Sequence, residues 1–470
     1  MRTILLALAL LVPSAAVASP DAPSVHEQLL HAHRDDPVMA PYSWNRPTEQ
    51  EIAAAWTRDE GDPVVMGYLP FWVNATIPWD YVNVLAWFSA EVAADGSIST
   101  DHGWSGATAA AIIADAHSVG AKVVLSATRF GGSNLAPFLS NPSRRATCIS
   151  GLVSRMTSVG ADGIDIDFEG LDVANRDDLT AFMQELRAAM DDAQPGSFLS
   201  MATPVVDWSD AYDYAALAAV SDVLFIMGYA YSGSWSDPGP NAPLNSSPWA
   251  YRPLSWSVDD YLTTGGSQYA DRYVLGLPLY GGEWTASSGS SGAEGDHVGS
   301  VVWTECQSLF STHGKNWDSD STTPWTAWNS GGWRQVWCED GQSLELKMAM
   351  ALQKGIGGVG FWALGYDGGD PVVWDAVDDL MEAWNPDAGD DDDAGDDDDA
   401  VDDDDATDDD DAVDDDDAAP QSGDGPVFPV ERRTFVGEGV ACSDCGASMA
   451  AGDARGLLLG LLLLGARRRR

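Results

Sequence analysis

The chain has 470 residues, 45% of them hydrophobic, and a formal net charge of −49. That length and apolar content admit one large domain with appendages. Five blocks of four aspartates between Asp390 and Asp417 carry 20 of the negative charges, and the remainder still bears −29. Such a balance argues against nucleic acid or an anionic membrane surface as a partner and favours a neutral or cationic polymer.

In chain order, Arg2, an apolar run over residues 4–12 and Ala16-Val17-Ala18 read as a secretory signal over residues 1–18. The chain is therefore expected to be exported, to the medium or the cell surface. Residues 19–62 read as a polar N-terminal extension with some helical character, and they include His31-Ala32-His33. The seven histidines form no ligand set by spacing, so neither a catalytic metal nor a cofactor is expected.

A domain is predicted over residues 63–386. Strand-like runs fall at 64–71, 82–88, 122–127, 163–168, 198–202, 223–227, 273–279 and 358–362. Helical patterns lie between them, at 107–119, 178–192 and 344–354, and one at 371–384 closes the set. Eight strand–helix units in one domain predict an α/β TIM (β/α)8 barrel, whose active site lies at the C-terminal ends of its strands. The stretch from 281 to 342 reads as a compact insert between strands seven and eight. Cys306 and Cys338 lie within it, flanking one segment, and can pair, whereas Cys148 reads as a buried thiol.

Residues 387–440 form an Asp/Ala-rich linker that cannot bury a core. Residues 441–470 hold Cys442-Ser443-Asp444-Cys445, an apolar run at 456–466 and four terminal arginines. The run is too short to span a bilayer comfortably, yet the arginines fit a positive-inside stop. The segment reads as a sorting or anchoring tag that engages the membrane or a sorting machinery.

The most informative stretch is Asp162-Gly163-Ile164-Asp165-Ile166-Asp167-Phe168-Glu169. On a strand, alternate side chains share a face. Ile164, Ile166 and Phe168 then point one way, and Asp165, Asp167 and Glu169 the other. Lining up three acids costs desolvation that folding alone does not require. Neighbouring carboxylates about 6.7 Å apart along the strand disfavour one another's ionisation, which fits Glu169 as a general acid with Asp167 beside it. A structural calcium site fits poorly, because the Asp-x-Asp-x-Asp-Gly loop order is missing.

The pattern Asp-Gly-x-Asp-x-Asp-x-Glu resembles the signature of glycoside hydrolase family 18, the chitinases and related β-N-acetylglucosaminidases. Further pieces resemble the family's strands in the right order: Gly67-Tyr68-Leu69-Pro70-Phe71-Trp72, Met227-Gly228-Tyr229, Leu277-Pro278-Leu279-Tyr280-Gly281 and Gly358-Val359-Gly360-Phe361-Trp362. The resemblance covers residues 64–384.

It implies hydrolysis of β-1,4 bonds at N-acetylglucosamine by substrate-assisted retention. Glu169 would be the acid, Asp167 the group that orients the acetamide, Asp165 its buried support and Tyr229 a hydrogen-bond partner. Trp362 would form the floor under the sugar, with Met227 and Tyr68 beside it. Trp72, Trp235, Tyr280 and Trp284 are expected as stacking platforms. The sequence departs from the family pattern at Ala230, where many relatives carry Asp or Asn, and at Ser126-Ala127-Thr128-Arg129-Phe130-Gly131-Gly132 on the third strand.

Val336-Trp337-Cys338-Glu339-Asp340 with Ser343 and Lys347 resembles a short-insert branch, some members of which act on peptidoglycan. The tail resembles myxobacterial C-terminal sorting tags. A monomer is expected. The competing reading is a non-catalytic lectin or adhesin on the same barrel, and the retained Glu169 favours the enzyme.

Overall fold

The computed structural model describes residues 23–40, 62–245 and 248–384. The segment read as a secretory signal, the Asp/Ala-rich stretch and the Cys-containing tail lie outside the described residues. Among the described residues, no helix is long and apolar enough to cross a membrane.

Eight parallel strands form the centre: Val64–Pro70, Val84–Val92, Lys122–Phe130, Gly163–Glu169, Phe198–Pro204, Val223–Met227, Tyr273–Pro278 and Gly358–Trp362. Each pairs with the next in sequence. The first pairs with both the second (Met66 opposite Val84) and the eighth (Val64 opposite Gly358), which closes the barrel. A short strand, Ile98–Thr100, lies antiparallel to the second barrel strand. All eight predicted strands are present. Nearly every residue of them is buried, as expected of strands covered by helices outside and by side chains within.

The outer helices follow the same periodic logic. Pro142–Val159 begins at Asn141, whose side chain accepts from the backbone N–H groups of Ser143 and Arg144, and stops at Gly160 in the left-handed region. Gly341–Lys354 starts three residues before the predicted 344 because Asp340 caps it. Asp340 accepts from the Ser343 N–H, and the Ser343 hydroxyl returns a bond to the backbone at Asp340. Arg176–Ala193 starts two residues before the predicted 178, and Pro371–Trp384 matches its expected bounds.

The excursion between strands seven and eight has its own sheet and core. Five antiparallel strands, Tyr280–Ala286, His297–Val302, Asn316–Asp318, Thr323–Asn329 and Trp333–Trp337, pack with the helix Trp303–His313. Cys306 and Cys338 form a disulfide across it. Cys148 is a buried free thiol, and burial pushes it up to about 12.

At the junction of insert and barrel, Lys347 donates to Glu339, and both side chains are fully buried. Removing one member of such a pair strands the other charge, which costs about 3–5 kcal/mol, whereas an apolar replacement of both costs far less. Lys347→Met is therefore expected to lower stability in denaturant titration by about 3 kcal/mol, with Lys347→Met/Glu339→Leu recovering most of the loss.

Candidate active site

The site is built on the fourth barrel strand. Its first residue must be glycine, since a Cβ at Gly163 would sit 1.9 Å from the carbonyl oxygen of Phe198 on the fifth strand. The alternation then runs as the sequence requires. Phe168 points outward, edge-on to Phe138 and tilted against Phe182, at centroid distances of 5.8 and 5.3 Å. Asp165, Asp167 and Glu169 point into the barrel.

Register decides what each acid meets. Asp165 lies opposite Ser126 on the third strand and Ser200 on the fifth. The Ser200 hydroxyl donates to Asp165 Oδ1 at 2.7 Å. Burial raises the Asp165 carboxyl above its ordinary range, and the hydroxyls of Ser200, Ser126 and Tyr68 hold it back. Asp167 is raised well above that range, first by burial and then by the charge of Asp165.

Glu169 ends the strand with its side chain 12% exposed. Burial, and next the charge of Asp167, push it up to about 8. A carboxyl so placed holds its proton at neutral pH, as a general acid must.

Other elements complete the mouth. Tyr229 follows the sixth strand, and its hydroxyl is also raised by burial. Met227, at the end of that strand, is nearly buried. Trp362 ends the eighth strand, with Tyr68 of the first strand tilted against it at 5.7 Å. Tyr280 stands edge-on to Tyr229 at 6.0 Å. Trp72 lies half-buried at the rim. Glu169, Asp167, Asp165, Tyr229, Trp362, Met227, Tyr68, Tyr280 and Trp72 thus gather at one end of the barrel.

Trp284 does not join them as an open platform. It is fully buried against Trp325 and Trp337 in the core of the insert, and its indole N–H donates to the Ser236 carbonyl at 3.1 Å. Trp235, by contrast, lines a cleft at the mouth beside Ala230, Asn241 and Tyr280. Ala230 sits in the left-handed region at φ 62°, where Asn and Asp are better tolerated than Ala. Its N–H donates to Asn241 Oδ1 at 2.8 Å.

The N-terminal extension enters the same site, which its sequence did not indicate. Residues Val25–His33 form a helix capped by Ser24, whose oxygen accepts from the Glu27 N–H at 3.0 Å. The same Ser24 hydroxyl donates to Glu169 Oε1 at 2.7 Å. His26 is fully buried, with Nδ1 2.9 Å from Asp167 Oδ2 and Nε2 2.9 Å from the Tyr229 hydroxyl. Its ring stacks on Trp362 at 3.7 Å with an interplanar angle of 28°.

Burial lowers His26 to about 4, despite the opposing charges of Glu169 and Asp165, so the ring is neutral at pH 7. A neutral imidazole donates through one nitrogen and accepts through the other, which fits a bridge between Asp167 and Tyr229. No histidine was expected in a ligand set, yet His26, Asp167 and Glu169 offer atoms within 4.8 Å of one another. The 2.9 Å separation of Nδ1 and Oδ2 is that of a hydrogen bond.

Ser126 and Ser200 were also missed. Each is a polar interruption of an apolar strand, at inward-facing register beside Asp165, so strand alignment could have found them. Tyr212 supports the strand by donating to the Phe168 carbonyl at 2.8 Å.

The model for glycosyl hydrolases family 18 matches residues 64–367. This chain belongs to that family. Among curated relatives, it is 26% identical over 271 residues to an endochitinase of Manduca sexta, a match covering 50% of this chain and 48% of that protein. The chain thus spans about half the length of the insect enzyme.

It is 28% identical over 308 residues to the di-N-acetylchitobiase of Homo sapiens, covering 58% of this chain and 74% of that one. Among solved structures, the family 18 chitinase of Cycas revoluta, in complex with (GlcNAc)3, superposes with a TM-score of 0.60 at 21% identity. That match covers 67% of this chain and 99% of the plant enzyme. Family 18 membership supports a glycoside hydrolase.

The raised acid can be tested directly. In a carboxyl-labelled protein, the NMR titration midpoint of Glu169 is expected near 8. Asp167→Asn removes the second cause of the shift and is expected to move that midpoint down.

Proposed function

We propose that this protein is an exported glycosidase that cleaves β-1,4 bonds next to N-acetylglucosamine in chitin, chito-oligosaccharides or peptidoglycan. The observation that carries this reading is Glu169, an acid held protonated at the open end of the barrel beside Asp167, Tyr229 and Trp362.

Glu169 would protonate the glycosidic oxygen as the bond to the leaving sugar breaks. The substrate's own acetamido oxygen would attack the anomeric carbon, giving an oxazolinium ion with net retention after water enters. Asp167 would accept the acetamido N–H and stabilise the cation, with Asp165 behind it. The Tyr229 hydroxyl would bind the acetamide, and the Trp362 indole would carry the apolar face of the ring. Glu169, once deprotonated, would activate the water. The Cys306–Cys338 disulfide and the leader over residues 1–18 support export.

Hydrolysis of a chromogenic chitotrioside is expected from the wild-type chain and should fall by at least 10³-fold in Glu169→Gln, in keeping with loss of a general acid. The wild-type kcat/KM should decline as pH rises through the raised Glu169 pKa, because only the protonated carboxyl donates. Tight binding of the sugar without turnover by the wild type would favour the lectin reading. A second expectation concerns the tail, which we propose is a sorting or anchoring tag. Deleting residues 442–470 should move the protein from the cell fraction to the medium, and unchanged cell association would exclude that role.

A further inference from the structure

The N-terminal helix uses the same groups that the proposed reaction needs. Ser24 donates to Glu169, His26 bridges Asp167 and Tyr229, and the His26 ring lies flat on Trp362. A flat ring on an indole, with polar atoms reaching a carboxyl on one side and a tyrosine on the other, is the way a sugar would occupy this position. The segment and a sugar cannot be there together.

We propose that residues 23–40 are an autoinhibitory plug. Helix Val25–His33 fills the sugar position next to Glu169, and it holds turnover by the full chain below that of the open form. The inference rests on the glycosidase reading of the site and adds its regulation.

The attachment is specific at the rim as well as in the site. The His33 ring stacks on Trp72 at 4.8 Å and 10°, covering a face otherwise open to a sugar. Arg34 pairs with Glu91, its Nε donating to Oε1 at 3.1 Å, and His102 holds the same carboxylate at 2.9 Å. Beyond the helix, the Met39 N–H donates to the Phe71 carbonyl at 2.8 Å, and the Ala40 N–H to Asn74 Oδ1 at 2.9 Å. Contacts at both ends fix the helix across the mouth.

The fit is nevertheless incomplete, as a replaceable occupant requires. Within the helix, Leu30 is the apolar residue that is fully enclosed, with Val25 and Leu29 only partly so. Among the described residues, Asp167 Oδ1 and Trp362 Nε1 remain buried without a hydrogen-bond partner. Buried polar atoms are ordinarily paired, so the helix leaves unmet part of the bonding that the site offers. A plug of this kind lowers apparent substrate affinity by the fraction of molecules in the open state.

The test compares the full chain with Leu30→Asp, which unseats the helix without touching the acids, and with His26→Gly, which empties the Trp362 face. Two readouts are needed. The first is kcat/KM on the chromogenic chitotrioside, expected to rise at least tenfold in both variants. The second is hydroxyl-radical footprinting of Trp362 and Tyr229 by mass spectrometry, expected to go from protected in the wild type to reactive in the variants.

Measurable wild-type turnover equal to that of both variants would overturn the proposal, as would Trp362 already reactive in the wild type. If the footprint opens but no form hydrolyses the sugar, the plug stands and the substrate reading fails.

Discussion

Everything at the open end of this barrel depends on placing three carboxyl groups where water is scarce. Such groups resist ionisation, and the structure meets the cost with hydroxyls and shared protons in place of opposite charges. Ser200 donates to Asp165, which lies opposite Ser126 in register, while the charge of Asp165 biases Asp167, and that of Asp167 biases Glu169, toward the protonated form. A lysine or arginine in this layer would have quenched the shift on Glu169 and with it the reason for the row. The buried Lys347–Glu339 pair shows that the fold can bury a cation, and it does so at the insert junction, away from the acids.

The same constraint explains the company His26 keeps. A protonated imidazole would be drawn to these acids, but full enclosure favours the neutral ring. Neutral, it offers one donor and one acceptor, and it finds a carboxyl and a phenol at matching distances. Aromatic packing adds orientation. Trp362 lies beneath the ring, while Phe88 meets both His26 and Trp362 edge-on. The site is thus already organised around a flat, polar-edged group.

Much of this was legible in the sequence, for physical reasons. The barrel strands are continuous apolar runs because helices cover them outside, and the row of acids stands out because a period of two assigns them to one face. The gathering of Tyr68, Tyr229, Tyr280 and Trp362 followed from strand ends converging on one rim. Trp284 was misplaced because a Gly- and Ser-rich segment reads as open loop, although its strands pair into a sheet that encloses the indole. Helix starts were missed by two or three residues where a cap such as Asp340 lies outside the apolar pattern. His26 left no trace, since a single histidine four residues before a leucine is a common sight on any surface helix. Its partners lie 141 and 203 residues further along the chain.

Those separations carry a consequence for how the molecule comes together. The socket around His26 draws on the first, fourth and eighth barrel strands and on Tyr229 just beyond the sixth, and its floor is Trp362 on the strand that closes the barrel. The helix is made near the start of synthesis, yet its seat does not exist until nearly the whole domain has been made and closed. Contacts of such long range form late in folding, after the local ones. The earliest of these elements to be synthesised is therefore among the last to dock, and the barrel reaches its closed form with its mouth still open.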